Sequence, residues 1–153
     1  MKVFLLKVLL KRISKQDEEH AVICCYEVSE DIKSIVEYIK TAGELLRAYD
    51  KDEIKHIALN DVYYVEAVDD KVFAYTKSDV YEIKCRLYEF AEQYEKKRFF
   101  RCSKSYVINL MKIESVQPYM NGRLSARLVN NEEIVISRQY VQLMKRILSG
   151  EKE

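Results

Sequence analysis

The chain has 153 residues, of which 48% are hydrophobic and 33% charged, with three glycines and one proline. That length suits one domain or one domain with a short appendage, and the composition supports a packed core and excludes a disordered chain. The net charge of +1 conceals an asymmetry: residues 1–53 carry −2, residues 54–95 carry −4, residues 96–146 carry +8 and the last seven carry −1. A strongly basic stretch in a near-neutral chain is an electrostatic footprint for a polyanion, and a solvated basic face would read the same way.

No apolar run approaches the roughly 18–20 residues of a membrane helix. Met1 to Leu10 is apolar but interrupted by Lys2 and Lys7, and Lys11, Arg12 and Lys15 follow. A secretory signal runs in the opposite order, so a cytoplasmic chain is expected. Cys24, Cys25, Cys85 and Cys102 form no C-x-x-C pair, and His20 and His56 are not spaced to complete a zinc site. Four reduced and mostly buried thiols are expected, with no metal and no cofactor. Twelve tyrosines and no tryptophan lean the composition toward strands.

In chain order, residues 2–13 and 20–28 read as two strands rich in Val, Ile, Leu and Tyr, and the polar stretch Ser14 to Glu19 suits a hairpin turn. Ser29 is a helix N-cap, with Glu30 and Asp31 facing the positive helix end. Ile32, Ile35, Val36 and Ile39 recur at helical spacing, and Gly43 suits a stop. A hairpin and helix of this size cannot stand alone, so residues 1–43 must pack on their own domain or on another subunit. Short strands are then predicted at 45–49, 54–59, 62–68, 72–76 and 80–83. A helix at 85–97 presents Leu87, Phe90, Ala91 and Tyr94 on one face. Further strands are predicted at 106–108, 113–119, 124–129 and 134–136, with the hairpin signal Asn121-Gly122 between two of them. A final helix at about 139–148 turns Val141, Met144, Ile147 and Leu148 toward the body.

Catalytic signatures are missing. There is no P-loop, no dinucleotide-binding glycine pattern, no H-E-x-x-H and no nucleophile elbow. Only two histidines could act as bases near neutral pH. The adjacent Asp69 and Asp70 fit a hairpin turn better than an acid–base pair. No catalytic residue and no small-molecule substrate are therefore expected.

Two donor clusters stand out. Arg101, Ser103, Lys104 and Ser105 lie between the aromatic pair Phe99-Phe100 and the apolar run Tyr106-Val107-Ile108. Such side chains suit phosphate and base-edge contact. Ser137-Arg138-Gln139-Tyr140 opens the final helix, where backbone N–H groups and the dipole favour an anion. Each cluster alone is equally well read as a capped turn.

The segment Phe99 to Leu110 (FFRCSKSYVINL), followed by Ile113-Glu114 and then by Ile136-Ser137-Arg138-Gln139-Tyr140-Val141, resembles the LytTR DNA-binding domain. The upstream segment Asp61 to Ala67 (DVYYVEA) resembles that family's opening strand. The likeness spans roughly residues 45–148, and it is the order of the motifs that is specific. It implies a mostly β fold with a few helices (α+β), built of short antiparallel sheets, in a domain at 44–150 that follows the hairpin and helix read from residues 1–43. It implies that loops, not a recognition helix, enter successive major grooves of bent DNA. Carried over, the contacts fall near Asp70-Lys71, at Ser103-Lys104 and at Arg138. Lys104 and Arg138 are the principal candidates, with Arg101, Ser103, Ser105 and Gln139 in support. Many members have His where Ser103 stands, so base preference stays open. The chain has no room for the receiver domain that many members carry. It resembles instead compact single-chain members associated with a small membrane protein, so residues 1–43 read as a homodimer or partner surface, or as a cover for the domain's own core. The expected partner is double-stranded DNA at promoter repeats. A module that works by sequestering a protein, and an RNA-binding role using Tyr106, Tyr119 or Tyr140, are the alternatives.

Overall fold

The computed structural model describes residues 6–150. Helix α1 (Glu30–Thr41) leads into ten strands: β1 (Leu45–Asp50), β2 (Glu53–Ala58), β3 (Tyr64–Val68), β4 (Lys71–Tyr75), β5 (Val80–Ile83), β6 (Phe99–Arg101), β7 (Tyr106–Asn109), β8 (Ile113–Tyr119), β9 (Arg123–Leu128) and β10 (Glu133–Ile136). Helix α2 (Leu87–Tyr94) lies between β5 and β6, and α3 (Arg138–Ser149) closes the fold. A seven-stranded sheet has the order β2-β1-β5-β4-β3-β7-β6, and a three-stranded sheet the order β10-β9-β8. Every pairing is antiparallel. This is the mostly β architecture that the alternation of apolar and polar residues predicts.

Local chemistry sets the turns. Asp69, Asn121 and Asn131 take left-handed backbone angles (φ 54°, 58° and 69°) at the β3–β4, β8–β9 and β9–β10 connections. Asp and Asn tolerate that region because their short polar side chains bond locally. The Ser29 hydroxyl accepts from the Ile32 N–H and caps α1, as predicted.

Two apolar cores share the long sheet. On one side Leu87, Phe90 and Tyr94 of α2 pack on Leu46, Ala48, Val65, Val72, Ala74 and Val107. On the other, Tyr64, Phe100 and Ile108 meet Leu124, Ala126, Leu128, Ile134 and Ile136 of the small sheet, sealed by Val141 and Met144 of α3. The small sheet and α3 are thereby fixed against β3, β6 and β7, the strands whose ends carry the donor clusters.

Five points differ from expectation. Residues 6–28 form no strand; only the turn between the two expected legs is present, where the Asp17 N–H donates to the Ser14 carbonyl. A strand needs a partner ladder, and an isolated two-stranded hairpin is marginal in water. Residues 2–5 of that expected strand lie outside the described residues. The thiols are not mostly buried: Cys24 and Cys25 are exposed, Cys85 is half-buried and only Cys102 is enclosed. Leu148 faces solvent at 53% exposure. Strand β6 was not foreseen, since three residues carry no usable period. The helix at 85–97 is an α-helix only to Tyr94; Glu95–Lys97 tighten into a 3-10 turn, ending at Arg98 in the left-handed region.

Candidate nucleic-acid interface

The β6–β7 loop is shaped by its own side chains. The Arg101 guanidinium donates through Nε to the Ser103 carbonyl and through a terminal nitrogen to the Lys104 carbonyl, both at 2.8 Å. The Ser103 hydroxyl oxygen accepts from the Ser105 and Tyr106 N–H groups, each at 3.1 Å. Arg101 and Ser103 therefore each give part of their hydrogen-bonding capacity to the loop's own shape. What the loop presents outward is Lys104, which is exposed. Its ammonium enters no hydrogen bond or ion pair among the described residues.

The same loop is tied to its neighbours. The Ala67 N–H donates to the Ser105 carbonyl at 2.8 Å, joining the loop to the end of β3. The next turn after that end is Asp69-Asp70, which leads into Lys71 of β4. The Ser137 N–H donates to the Cys102 carbonyl at 2.8 Å, joining the loop to the start of α3. All three predicted contact segments thus converge on one end of the fold. Ser103, Lys104, Ser105 and Tyr106 face Arg123, Glu133 and Ser137 across a cleft of about 370 Å³.

Beneath the loop is an acidic anchor. Glu66 accepts from the Tyr106 hydroxyl at 2.7 Å and the Tyr75 hydroxyl at 2.9 Å. Tyr75 stacks on Tyr64, ring centroids 4.4 Å apart. Burial, and then the hydrogen bond to Glu66, push the Tyr75 and Tyr106 phenols up to about 12. Burial pushes the Cys102 thiol up to about 12 as well. The Asn109 amide donates to the Val62 carbonyl, and its oxygen accepts from the Met111 N–H. The Asn of the V-I-N motif therefore holds backbone together and faces no ligand.

Arg138 is the first residue of α3. No acidic residue occupies that first turn, and the Ser137 side chain makes no capping bond. A cation at the positive end of a helix dipole opposes helix stability, so this residue is not there to start the helix. Its aliphatic stem lies against Gly122, where an added Cβ would sit 3.6 Å from Arg138 Cδ. Its guanidinium, like Lys104, is exposed and has no partner among the described residues. Gln139 beside it is exposed too. Asp70 is exposed, and Lys71 reaches Glu82 only at 3.9 Å with its side chain largely in solvent.

Two residues escaped sequence reasoning. Arg123 lines the cleft, bonds the Met120 carbonyl through Nε and lies over the Tyr119 ring at 5.0 Å. The visible signal was a cation directly after the Asn121-Gly122 turn within the basic stretch. Glu66 was read only as part of a strand motif; nothing in spacing shows that two phenols 9 and 40 residues downstream bond it. Of the three tyrosines considered for base stacking, Tyr106 and Tyr140 pack against the second core, and Tyr119 is 40% exposed beneath Arg123.

Fold and site together define a β-rich domain that offers basic side chains from a loop and an adjacent helix start. The model of the LytTr DNA-binding domain matches residues 52–149, and the chain belongs to that family. The transcriptional regulatory protein YpdB of Escherichia coli (strain K12) is 32% identical over 91 residues, 59% of this chain and 37% of that protein. The chain thus spans little more than a third of such relatives. A Staphylococcus aureus (strain MSSA476) protein named as an HTH-type transcriptional regulator is 28% identical over 138 residues, 89% of this chain and 93% of the relative. The LytTr DNA-binding domain of a Bacillus cereus protein superposes with a TM-score of 0.64 at 23% identity, covering 68% of this chain and 95% of that one. Among the described residues, strands separate each α-helix from the next; Lys104 lies in the β6–β7 loop and Arg138 opens α3.

Proposed function

We propose that this protein is a sequence-specific, DNA-binding transcriptional regulator whose loops enter major grooves, with Lys104 and Arg138 making the principal contacts. The observation that carries the reading is the convergence of Lys104 and Arg138 on one end of the fold, both exposed and without a partner among the described residues. Ser105, Lys71, Asp70 and Gln139 flank them. Arg101 and Ser103 give the loop its shape, and Arg123 adds a further cation beside the cleft. The protein works in the cytoplasm by binding, not by catalysis. It acts as a homodimer on promoter repeats, where two linked modules gain avidity. A small membrane protein is a further partner, reached through residues 1–43.

The test is binding to fragments of the promoter region of its own operon, measured across a salt series. Affinity should fall linearly on a log–log plot as phosphate contacts release counterions. Lys104→Ala and Arg138→Ala should each weaken binding by about 1–3 kcal/mol. Parent-like binding by both variants would show that the contacts lie elsewhere. No preference for any fragment, with a protein complex recovered instead, would favour sequestration.

A further inference from the structure

We infer that residues 6–28 are an exchange arm that pairs with the same arm of a second copy of this chain, basic leg against acidic leg. This deepens the homodimer of the proposed function by naming the surface that forms it.

The arm has two legs joined by the Ser14–Asp17 turn. Among the described residues, the only backbone hydrogen bonds it makes are that turn and one from the Ser29 N–H to the Glu27 carbonyl. Its ladder groups are otherwise unpaired by backbone. Its large apolar side chains are in water: Val8 at 74% exposure, Leu10 at 98%, Val22 at 74% and Tyr26 at 112%. Tyr38 and Ile39 on the adjoining α1 are exposed as well. Apolar side chains beside unpaired backbone are what a strand ladder buries.

Charge identifies the occupant. Residues 6–15 contain Lys7, Lys11, Arg12 and Lys15 and no acid, whereas residues 16–28 contain Asp17, Glu18, Glu19 and Glu27 and no Lys or Arg. The arm is self-complementary, four positive charges against four negative. In a two-fold exchange, each copy's basic leg meets the other's acidic leg, and both contacts form at once. The region is also shared: the 89% match to the Staphylococcus relative must extend ahead of residue 52, where the family domain begins.

The test is the mass of the full chain in solution by light scattering or sedimentation, over micromolar to near-millimolar concentration. The parent should be a dimer. Lys7→Glu with Lys11→Glu and Arg12→Glu should give a monomer, as should Glu18→Lys with Glu19→Lys and Glu27→Lys. Both should keep the parent's circular dichroism and melting transition. Mixing the two variants should restore a dimer containing one chain of each, and this rescue is the decisive outcome. Thiol labelling gives a second readout: Cys24 and Cys25 should react freely in the monomeric variants and slowly in the parent dimer. A parent that is monomeric throughout, variants that stay dimeric, or no rescue on mixing would each overturn the arm. The DNA reading is tested separately, since Lys104→Ala should lose DNA affinity and remain a dimer.

Discussion

At the scale of the residue, the site divides into side chains that reach outward and side chains that hold others in place. Arg138 belongs to the first kind and works against its own helix. Arg138→Ala should leave thermal stability unchanged or raise it by about 0.3–1 kcal/mol, because a cation leaves the positive end of α3, while DNA binding falls. A calorimetric melt beside a binding isotherm checks both signs. Arg101 belongs to the second kind. Its bonds to two loop carbonyls mean that Arg101→Ala should lower affinity for the specific site but leave the salt slope at the parent's value. A direct phosphate contact would instead reduce that slope by about one and weaken all sequences alike. Asn109→Ala should cost about 1–3 kcal/mol in urea unfolding, since it strands the buried Val62 carbonyl and the Met111 N–H.

At the scale of the element, the β6–β7 loop is held from below by β3 and β4. Tyr106 and Tyr75 both donate to Glu66, and both phenols are pushed up to about 12 by burial and by that carboxylate. The sign follows from linkage. The folded state favours the neutral phenols, so their contribution to stability is complete below their ordinary value of about 10 and is lost as pH rises from there through about 12. Unfolding free energy should therefore begin to fall near pH 9, where an unfolded Cys102 thiol ionises and the buried one does not, and fall more steeply above about 10 as the two phenols follow. Tyr106→Phe should make that alkaline fall shallower and loosen the loop. Urea titrations at several alkaline pH values read this directly, and a variant that falls as steeply as the parent would contradict it. The β8–β9 turn acts at the same scale. Gly122 has φ 72° and lies against the Arg138 stem, so the turn that joins two strands also supports the first side chain of α3.

At the scale of the whole molecule, two cores on opposite sides of one sheet divide the labour. The core under α2 stabilises the long sheet. The core under the small sheet and α3 fixes where three loops meet. The basic stretch of residues 96–146, at +8, covers β6 to α3, so two of the three converging segments lie in it, and the Asp69-Asp70 turn comes from the acidic stretch before it. A dimer joined through the arm of residues 6–28 would carry two basic ends, and its affinity for paired sites should exceed that for a single site by far more than twofold. Competition between one-site and two-site fragments measures this.

The sequence alone determined the strands, the turns, the basic half and the donor clusters. Each depends on side-chain period, on turn residues or on charge, and these are local properties. Most of the ten strands lie within a residue or two of their predicted places. The ordered motifs carried the family. Only the tertiary structure decided which donors are free. Arg101 and Ser103, neighbours of Lys104 in the string of residues, also bond within the loop, because hydrogen-bond partners are set by folding and not by adjacency. Glu66, Tyr75 and Tyr106 are far apart in sequence and meet through strand register. The fate of residues 6–28 was decided there too. Their apolar pattern specifies a strand, but a strand exists only where a partner ladder is present, and the single chain offers them none.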